Sequence, residues 1–201
     1  MIGAARPADG ERAVGETAAV GCRGVDSDEA LMRRVQCGET PAFTELFTRY
    51  RSRLYGFLVR RVGDSAADDL FQETWLRVVR ARERFDPGRR FSTWLFQIAN
   101  NLCRDRGRRR AVKGKAEDAM REAGRSDPRA RAPSPDVSLD VRRRIAELPE
   151  RLQEVLLLRY FEQMTETEIA EAVGIPTGTV KSRLHAAIRS LRGRDEVGDG
   201  E

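Results

Sequence analysis

The chain has 201 residues, long enough for one ordinary domain or for two small ones. Its 37 Lys and Arg residues against 32 Asp and Glu residues give a formal net charge of +5, which permits a polyanionic partner without requiring one. The spacing of the three cysteines and the single histidine fits no metal or cofactor site, and the sequence offers no phosphate-binding glycine loop or catalytic triad, so we do not expect an enzyme.

Residues 1–25 combine Gly, Ala and charged residues without apolar periodicity, so we predict a disordered tail. These residues also lack the apolar core of a secretion signal. No run along the chain approaches the roughly 18 apolar residues of a membrane span. We therefore expect a cytoplasmic protein without membrane insertion, whose cysteines are reduced thiols.

From residue 26 to about residue 110, apolar residues recur at helical spacing and predict a first helical block. Asp64 or Ser65 is suited to cap its third helix. A breaker at residues 85–88, Phe-Asp-Pro-Gly, separates the third helix from the fourth. The four predicted helices cover about 28–37, 40–62, 65–83 and 91–109.

One side of the third helix gathers carboxylates and amides near the start of the helix. Acidic groups are favourable there because they complement the helix dipole, so a solvated surface explains them without any partner. A docking surface for another protein is the alternative. The residues concerned are Asp68, Asp69, Gln72 and Glu73.

Arginines surround the loop between the third and fourth helices and recur at the C-terminal end of the fourth helix. A basic groove combined with planar groups is suited to single-stranded nucleic acid. Asn100 and Asn101 add amides that are able to pair with base edges. Trp94 is expected in the core, whereas Phe91 suits either the core or a stacking role. The arginines are Arg82, Arg84, Arg89, Arg90, Arg104, Arg106, Arg108, Arg109 and Arg110.

Residues 111–137 lose the helical pattern and are charged, small and proline-bearing, so we predict a flexible linker, in which KAEDAMREAG at 115–124 could form a transient helix. Helical periodicity returns in a second block at 138–194, and residues 195–201 form an acidic tail. The predicted fold is all-α, with two small helical domains, 26–110 and 138–194, joined by that linker. The helices of the second block are predicted near 138–147, 149–162, 166–172 and 177–192.

The strongest local signal predicts a helix-turn-helix at residues 165–192. Thr165 and Glu168 have the spacing of a capping box. Gly174 is suited to end the short first helix with a positive φ. Pro176 stands where the second helix begins, with Thr177 as its cap. The second helix should bury a stripe formed by Val180, Leu184, Ile188 and Leu191.

The opposite face of that second helix is small, polar and basic, which suits entry into the major groove of duplex DNA. A plain helical hairpin with a solvated face is the alternative, but the order of cap, turn glycine, proline and second helix favours DNA binding. For His185, DNA contact and simple exposure are both open. The candidate residues are Thr177, Gly178, Thr179, Lys181, Ser182, Arg183, His185 and Arg189.

Two stretches of the chain, taken together, resemble the sigma-70 family of RNA polymerase sigma factors. Residues 66–110 resemble sigma region 2, and residues 148–192 resemble sigma region 4. The resemblance covers most of the chain, and the short linker without a third domain looks like the extracytoplasmic-function (ECF) group. The most specific motifs are Asp-Leu-x-Gln-Glu-x-Trp at 69–75, Phe-Ser-Thr-Trp-Leu at 91–95 and Ile-Ala-x-Asn at 98–101.

The resemblance implies a sigma factor, which binds core RNA polymerase and directs transcription initiation at promoters of a specific, stress- or signal-responsive regulon. It implies that the acidic side of the third helix docks on the clamp helices of the largest polymerase subunit. Contact with the polymerase flap and control by an anti-sigma factor are further implied partners.

The resemblance also divides promoter recognition between the two blocks. The helix-turn-helix would read an upstream element as duplex DNA. The loop at about 84–92 would capture an unstacked base of a melted downstream element, and the fourth helix would face the same strand. The residues expected at the downstream element are Arg84, Arg89, Arg90, Asn100, Asn101, Arg104 and Arg108.

Two other functions fit part of the pattern. The first is a helix-turn-helix transcriptional regulator that acts without docking on polymerase. The second is a helical adaptor that binds proteins only. Association with core polymerase separates the first from a sigma factor, and promoter-dependent run-off transcription separates the second.

Overall fold

A computed structural model describes residues 26–118 and 139–192. The family-based and periodicity-based prediction of an all-α fold is confirmed, since every regular element in these two ranges is helical. None of the described helices is long and apolar enough to cross a membrane. The predicted tails and the predicted linker from residue 119 onward lie outside the described residues. The α-helices are α1 Asp28–Gln36, α2 Thr40–Val62, α3 Asp64–Arg80, α4 Phe91–Asp118, α5 Leu139–Ala146, α6 Glu150–Tyr160, α7 Glu166–Val173 and α8 Thr177–Arg192.

Helix α4 departs most from the prediction because it continues to Asp118 instead of ending near residue 109. Extending an existing helix costs much less than nucleating a new one. Residues 111–118, AVKGKAED, consist mainly of residues with good helix propensity. The first part of the predicted linker, 111–118, is therefore helical, and the fourth helix is longer than predicted.

The junction between α2 and α3 is made by one glycine. Gly63, with φ +79°, both ends α2 and precedes α3, which starts at Asp64 without a side-chain cap. The prediction that Asp64 or Ser65 caps this helix is therefore wrong. A residue without Cβ reverses the chain here, and no capping side chain is used.

Helices α1 to α4 enclose an aromatic core and form the first domain. Phe57 and Phe96 meet edge to face with their ring centroids 5.3 Å apart. Trp94 is buried beside Phe85, as predicted for the core, and Phe91 is fully buried. This core fixes the start of α4 and the arginine-rich loop that precedes it.

Helices α5 to α8 form the second domain, and the predicted helix-turn-helix is present. The Thr165–Glu168 capping box closes in both directions, and Gly174 has a left-handed φ of +72°. Val180 and Leu184 of α8 are buried, whereas the later residues Ile188 and Leu191 of the predicted stripe are only half-buried.

The two domains lie against each other. Helix α4 contacts α7, and α2 contacts both α5 and α6. The side chain of Arg60 on α2 stacks over the ring of Phe161 at 4.3 Å. The loop before α4 and the helix itself therefore face the second domain, which decides the surroundings of the candidate nucleic-acid residues.

Candidate nucleic-acid interface

The outer face of α8 has the exposure that a DNA-reading helix requires. Gly178, Lys181, Ser182, His185 and Arg189 are exposed, while Thr177 and Thr179 are half-buried at the start of the helix. The Ser182 hydroxyl donates to the Thr179 carbonyl oxygen at 3.0 Å, so it is already oriented by the helix. Lys181 Nζ lies 3.6 Å from a carboxylate oxygen of Glu166, a contact that remains open to solvent.

Arg183 differs from the rest of this predicted set. It is half-buried, and its Nη1 donates to Glu154 Oε1 at 2.9 Å. Its guanidinium is thus held against α6 on the inner side of the recognition helix. In this arrangement the side chain supports the second domain and does not extend its outer basic face.

The residues predicted at the downstream element divide into two groups. The first group, Arg84, Asn101 and Arg108, is exposed, and Arg108 pairs with Asp105 one turn earlier in α4. Arg90 is also exposed, with 71% of its side chain accessible, but it pairs with Glu168 and falls in the second group. The other group comprises two loop arginines and two residues of α4 that contact carboxylates of the second domain. The members of this second group are Arg89, Arg90, Asn100 and Arg104.

Asn100 corrects the expectation of an amide that is open to a DNA strand. It is 0% exposed, and its Nδ2 donates to Glu154 Oε2 at 3.3 Å. Arg104 makes a bidentate contact with the same carboxylate, from Nε at 2.9 Å and from Nη2 at 2.8 Å. Its remaining Nη1 donates to the carbonyl oxygen of Val173 at 2.9 Å.

Sequence reasoning missed the carboxylate at the centre of this arrangement. Glu154 lies within the run 153–158, of which every residue is buried. Its side chain is only 3% exposed, and it also lies 3.8 Å from Arg61, whose side chain is equally enclosed. A charged residue within an apolar helical run was the available signal, because such a group requires compensating partners.

The candidate docking surface on α3 combines charge with apolar area. Asp68, Asp69 and Gln72 are exposed, and Glu73 pairs with Arg77 at 2.9 Å. Two apolar side chains of the same helix also reach solvent. They are Leu76, 49% exposed, and Val79, 36% exposed.

Comparison with known proteins identifies both domains. Residues 46–112 match the family model for Sigma-70 region 2, and residues 138–191 match the model for Sigma-70 region 4. The chain is 31% identical over 173 residues to the ECF RNA polymerase sigma factor SigW of Bacillus subtilis, covering 80% of this chain and 92% of SigW. It is 36% identical over 169 residues to RNA polymerase sigma factor CarQ of Myxococcus xanthus, covering 80% of this chain and 93% of CarQ.

A solved structure has the same fold across both domains. CnrH, in complex with the cytosolic domain of CnrY, aligns with a TM-score of 0.66 and 25% sequence identity, over 87% of this chain and 100% of CnrH. The two family models, the relatives that match over most of their length and the shared fold all agree with the motifs found in the sequence. This chain belongs to the ECF group of the sigma-70 family, whose members direct transcription initiation and are not enzymes.

Proposed function

We propose that the outer face of α8 reads the upstream promoter element as duplex DNA. The observation that carries this assignment is the exposed set Lys181, Ser182, His185 and Arg189 on the second helix of a helix-turn-helix whose first helix is capped at both ends. Lysine and arginine suit phosphates and guanine edges, and serine suits either base or phosphate. The short first helix, α7, holds this face away from the domain core.

The downstream element is assigned to the loop before α4 and to α4 itself. Arg84, Asn101 and Arg108 are accessible for a single strand, and Arg89, Arg90, Asn100 and Arg104 lie on the side that meets the second domain. A strand would be held by phosphate contacts and by stacking, which contributes about 1–3 kcal/mol per stacked base. Opening of the duplex by this capture requires no nucleotide hydrolysis.

The polymerase contact is assigned to the exposed side of α3. Its carboxylates Asp68 and Asp69 and its amide Gln72 supply polar contacts, and the neighbouring Leu76 supplies apolar area of the kind enriched in interface cores. The clamp helices of the largest subunit and the flap are the proposed sites on polymerase. The protein would therefore act in the cytoplasm, where polymerase and chromosome are found.

Control by an anti-sigma factor completes the proposal. The similar protein CnrH was solved in complex with the cytosolic domain of another protein, CnrY, which shows that a fold of this kind accepts a protein partner. The inducing signal would then act by releasing the partner from the two domains.

Mapping the chromosomal sites that the protein occupies identifies a promoter. Run-off transcription from that promoter with purified core polymerase then tests the assignment. Lys181→Ala should lower affinity for the upstream duplex and reduce the magnitude of the log–log salt slope by about 0.9, the value for one lost phosphate contact. Arg51→Ala removes an exposed positive charge of α2 and should leave both quantities unchanged.

The two competing functions predict different results. A regulator without polymerase docking would bind the duplex but would not associate with core polymerase, and Asp69→Ala together with Leu76→Ala would then have no effect on transcription. A protein-only adaptor would bind no promoter DNA at all. Specific transcripts that disappear with the α3 double variant exclude both.

A further inference from the structure

The arginine-rich loop, residues 82–90, is held at its start by a side chain of α1. Gln36, the last residue of that helix, donates from Nε2 to the carbonyl oxygens of Arg82 and Phe85, each at 2.9 Å. The amide nitrogen carries two N–H groups, so it satisfies both carbonyls at once. Because the Arg82 carbonyl also accepts from the Phe85 backbone N–H at 3.2 Å, Gln36 supports the single helical turn that carries Arg84.

The end of the same loop is held by the first turn of α1. The carboxylate of Glu29 accepts from the backbone N–H of Phe91, the first residue of α4, at 3.0 Å. The first N–H groups of a helix have no partner within the helix. Arg90, which precedes α4, has no acceptor in its side chain, and residues 91–94 contain no carboxylate. Glu29 therefore supplies both the cap and the negative charge that the start of α4 lacks.

Helix α1 is itself fixed to the first domain and can act as a rigid support. Leu31, Met32 and Val35 are buried in the core. Asp28 accepts from Arg49 Nη1 of α2 at 2.7 Å, and its other carboxylate oxygen accepts from the hydroxyl of a tyrosine of the same helix. A substitution at either of the two loop contacts should therefore alter the loop and leave α1 in place.

Between its two attachments the loop presents the groups that are assigned to DNA. Arg84 and Arg90 are exposed and Arg89 is half-buried, whereas Phe85 is buried with its ring centroid 5.1 Å from that of Trp94. An exposed loop with few buried contacts opens easily, so its shape depends on the few contacts that hold it. Recognition of a base requires that shape, because the donors must lie at fixed distances from the base.

We propose that Gln36 and Glu29 are positioning residues for recognition of the downstream element. Helix α1 sets the shape of the loop from both ends and thereby determines how strongly transcription depends on the sequence of that element. Neither side chain needs to contact DNA in this role. The inference rests on the proposed assignment of the loop to the downstream element.

Run-off transcription by holoenzyme that contains the full chain tests the positioning on two templates. One template carries the mapped promoter, and the other carries the same promoter with its downstream element replaced by an unrelated sequence. The ratio of the two initial rates measures the dependence on that element. A loss of stability alone reduces the number of active molecules and lowers both rates by the same factor, so it leaves the ratio unchanged.

Three variants of α1 give different expected ratios. Gln36→Met keeps the length of the side chain but removes both N–H groups, and it should lower the ratio by about fivefold, the effect of one net hydrogen bond. Glu29→Met removes the acceptor for the Phe91 N–H and should lower the ratio similarly. Glu29→Gln retains an acceptor oxygen and should recover most of the wild-type ratio.

A matched control and a second measurement keep the test decisive. Glu45→Met makes the same substitution at an exposed carboxylate of α2 and should leave the ratio unchanged. Hydrogen exchange followed by mass spectrometry should show faster exchange at residues 82–91 in Gln36→Met and unchanged exchange in α8. If Gln36→Met yields no active holoenzyme, the comparison of Glu29→Met with Glu29→Gln decides alone.

Arg84→Ala separates failure of this inference from failure of the proposed function. A ratio that falls with Arg84→Ala but is unchanged in Gln36→Met and in Glu29→Met overturns the positioning role and leaves the assignment of the loop in place. A wild-type ratio near one would mean that transcription does not depend on the downstream element. The assignment of the loop would then be wrong, and the positioning role would fall with it.

Discussion

Cys37 and Cys103 lie in opposite environments, which gives a prediction about their chemistry. Cys37 is exposed at the end of α1, whereas Cys103 is buried in α4. Burial raises the pKa of the Cys103 thiol to about 11, so almost none of it is thiolate at neutral pH. Brief treatment of the native protein with iodoacetamide should modify Cys37 and spare Cys103, as peptide mass spectrometry would report.

The same treatment in denaturant supplies the control for the cysteine prediction. Both thiols should react once the chain is unfolded, because the protection of Cys103 comes from burial and not from its local sequence. Rapid modification of Cys103 in the native protein would mean that the packing around α4 opens readily.

Prediction at single residues succeeded where a side chain strongly prefers one environment, either the buried core or the exposed surface. Trp94 is in the core, and the polar residues Ser182 and His185 of α8 are exposed, as expected. It could not identify the contact in the packed structure where an arginine or an asparagine had a choice of partners. Asn100 and Arg104 have the chemistry for DNA but contact Glu154, and residue type alone does not distinguish a phosphate from a carboxylate.

The turn of the helix-turn-helix depends on the backbone of Gly174. At φ +72°, an alanine would be strained even though no atom lies within 4 Å of the added Cβ. Gly174→Ala should therefore lower the free energy of unfolding by about 1 kcal/mol through backbone strain alone. Chemical denaturation followed by circular dichroism measures the change.

Gly178 offers a matched substitution within the same motif. It lies in α8 without a positive φ, and a Cβ added there also meets nothing within 4 Å. Gly178→Ala should be neutral or stabilising by less than about 1 kcal/mol, because alanine has the higher helix propensity. Equal losses from both substitutions would contradict the role given to the left-handed conformation at Gly174.

Helix existence was predictable, and helix ends were predictable only where a specific signal marks them. The capping box at Thr165 and the glycine at 174 fixed the limits of α7. No comparable stop signal stands after residue 109, so the prediction relied on loss of apolar periodicity there. Periodicity indicates burial, whereas the continuation of α4 to Asp118 is consistent with local helix propensity, which periodicity does not measure.

Glu162 makes the stability of the packed molecule depend on pH. The residue is 5% exposed, and its carboxylate pairs with Arg53 of the first domain at 3.1 Å. Burial raises its pKa to about 7, and the attraction of Arg53 and Arg60 offsets this only in part. Since the ordinary value is 4.5, the folded chain binds this proton more tightly than the unfolded chain does.

The contribution of Glu162 to stability is therefore greatest below about pH 4.5 and is lost as the pH rises towards about 7. Glutamine at this position does not titrate, so the free energy of unfolding of Glu162→Gln should decline less over that range than that of the wild type. Denaturation curves at a series of pH values measure the difference. Glu45→Gln, at an exposed carboxylate, should follow the wild-type profile, and parallel profiles for all three proteins would refute the shift.

The two-domain plan was predictable from sequence, whereas the packing of one domain on the other was not. Apolar periodicity and sequence motifs indicate each domain separately. The contacts between them join residues far apart in the chain, such as Arg53 with Glu162 and Arg104 with Glu154. Nothing local in a sequence pairs such residues, so the packing of the two domains became visible only in three dimensions.

Both tryptophans of the chain, Trp75 and Trp94, belong to the first domain, and both are buried in its aromatic core. Intrinsic fluorescence excited at the indole band thus reports on that domain alone, while the far-ultraviolet dichroism of the helices reports on both. Superimposable melting curves from the two signals would identify a single cooperative unit, and separated curves would identify two. The chain therefore carries a built-in optical label with which the energetic coupling between its halves is measured without any added dye.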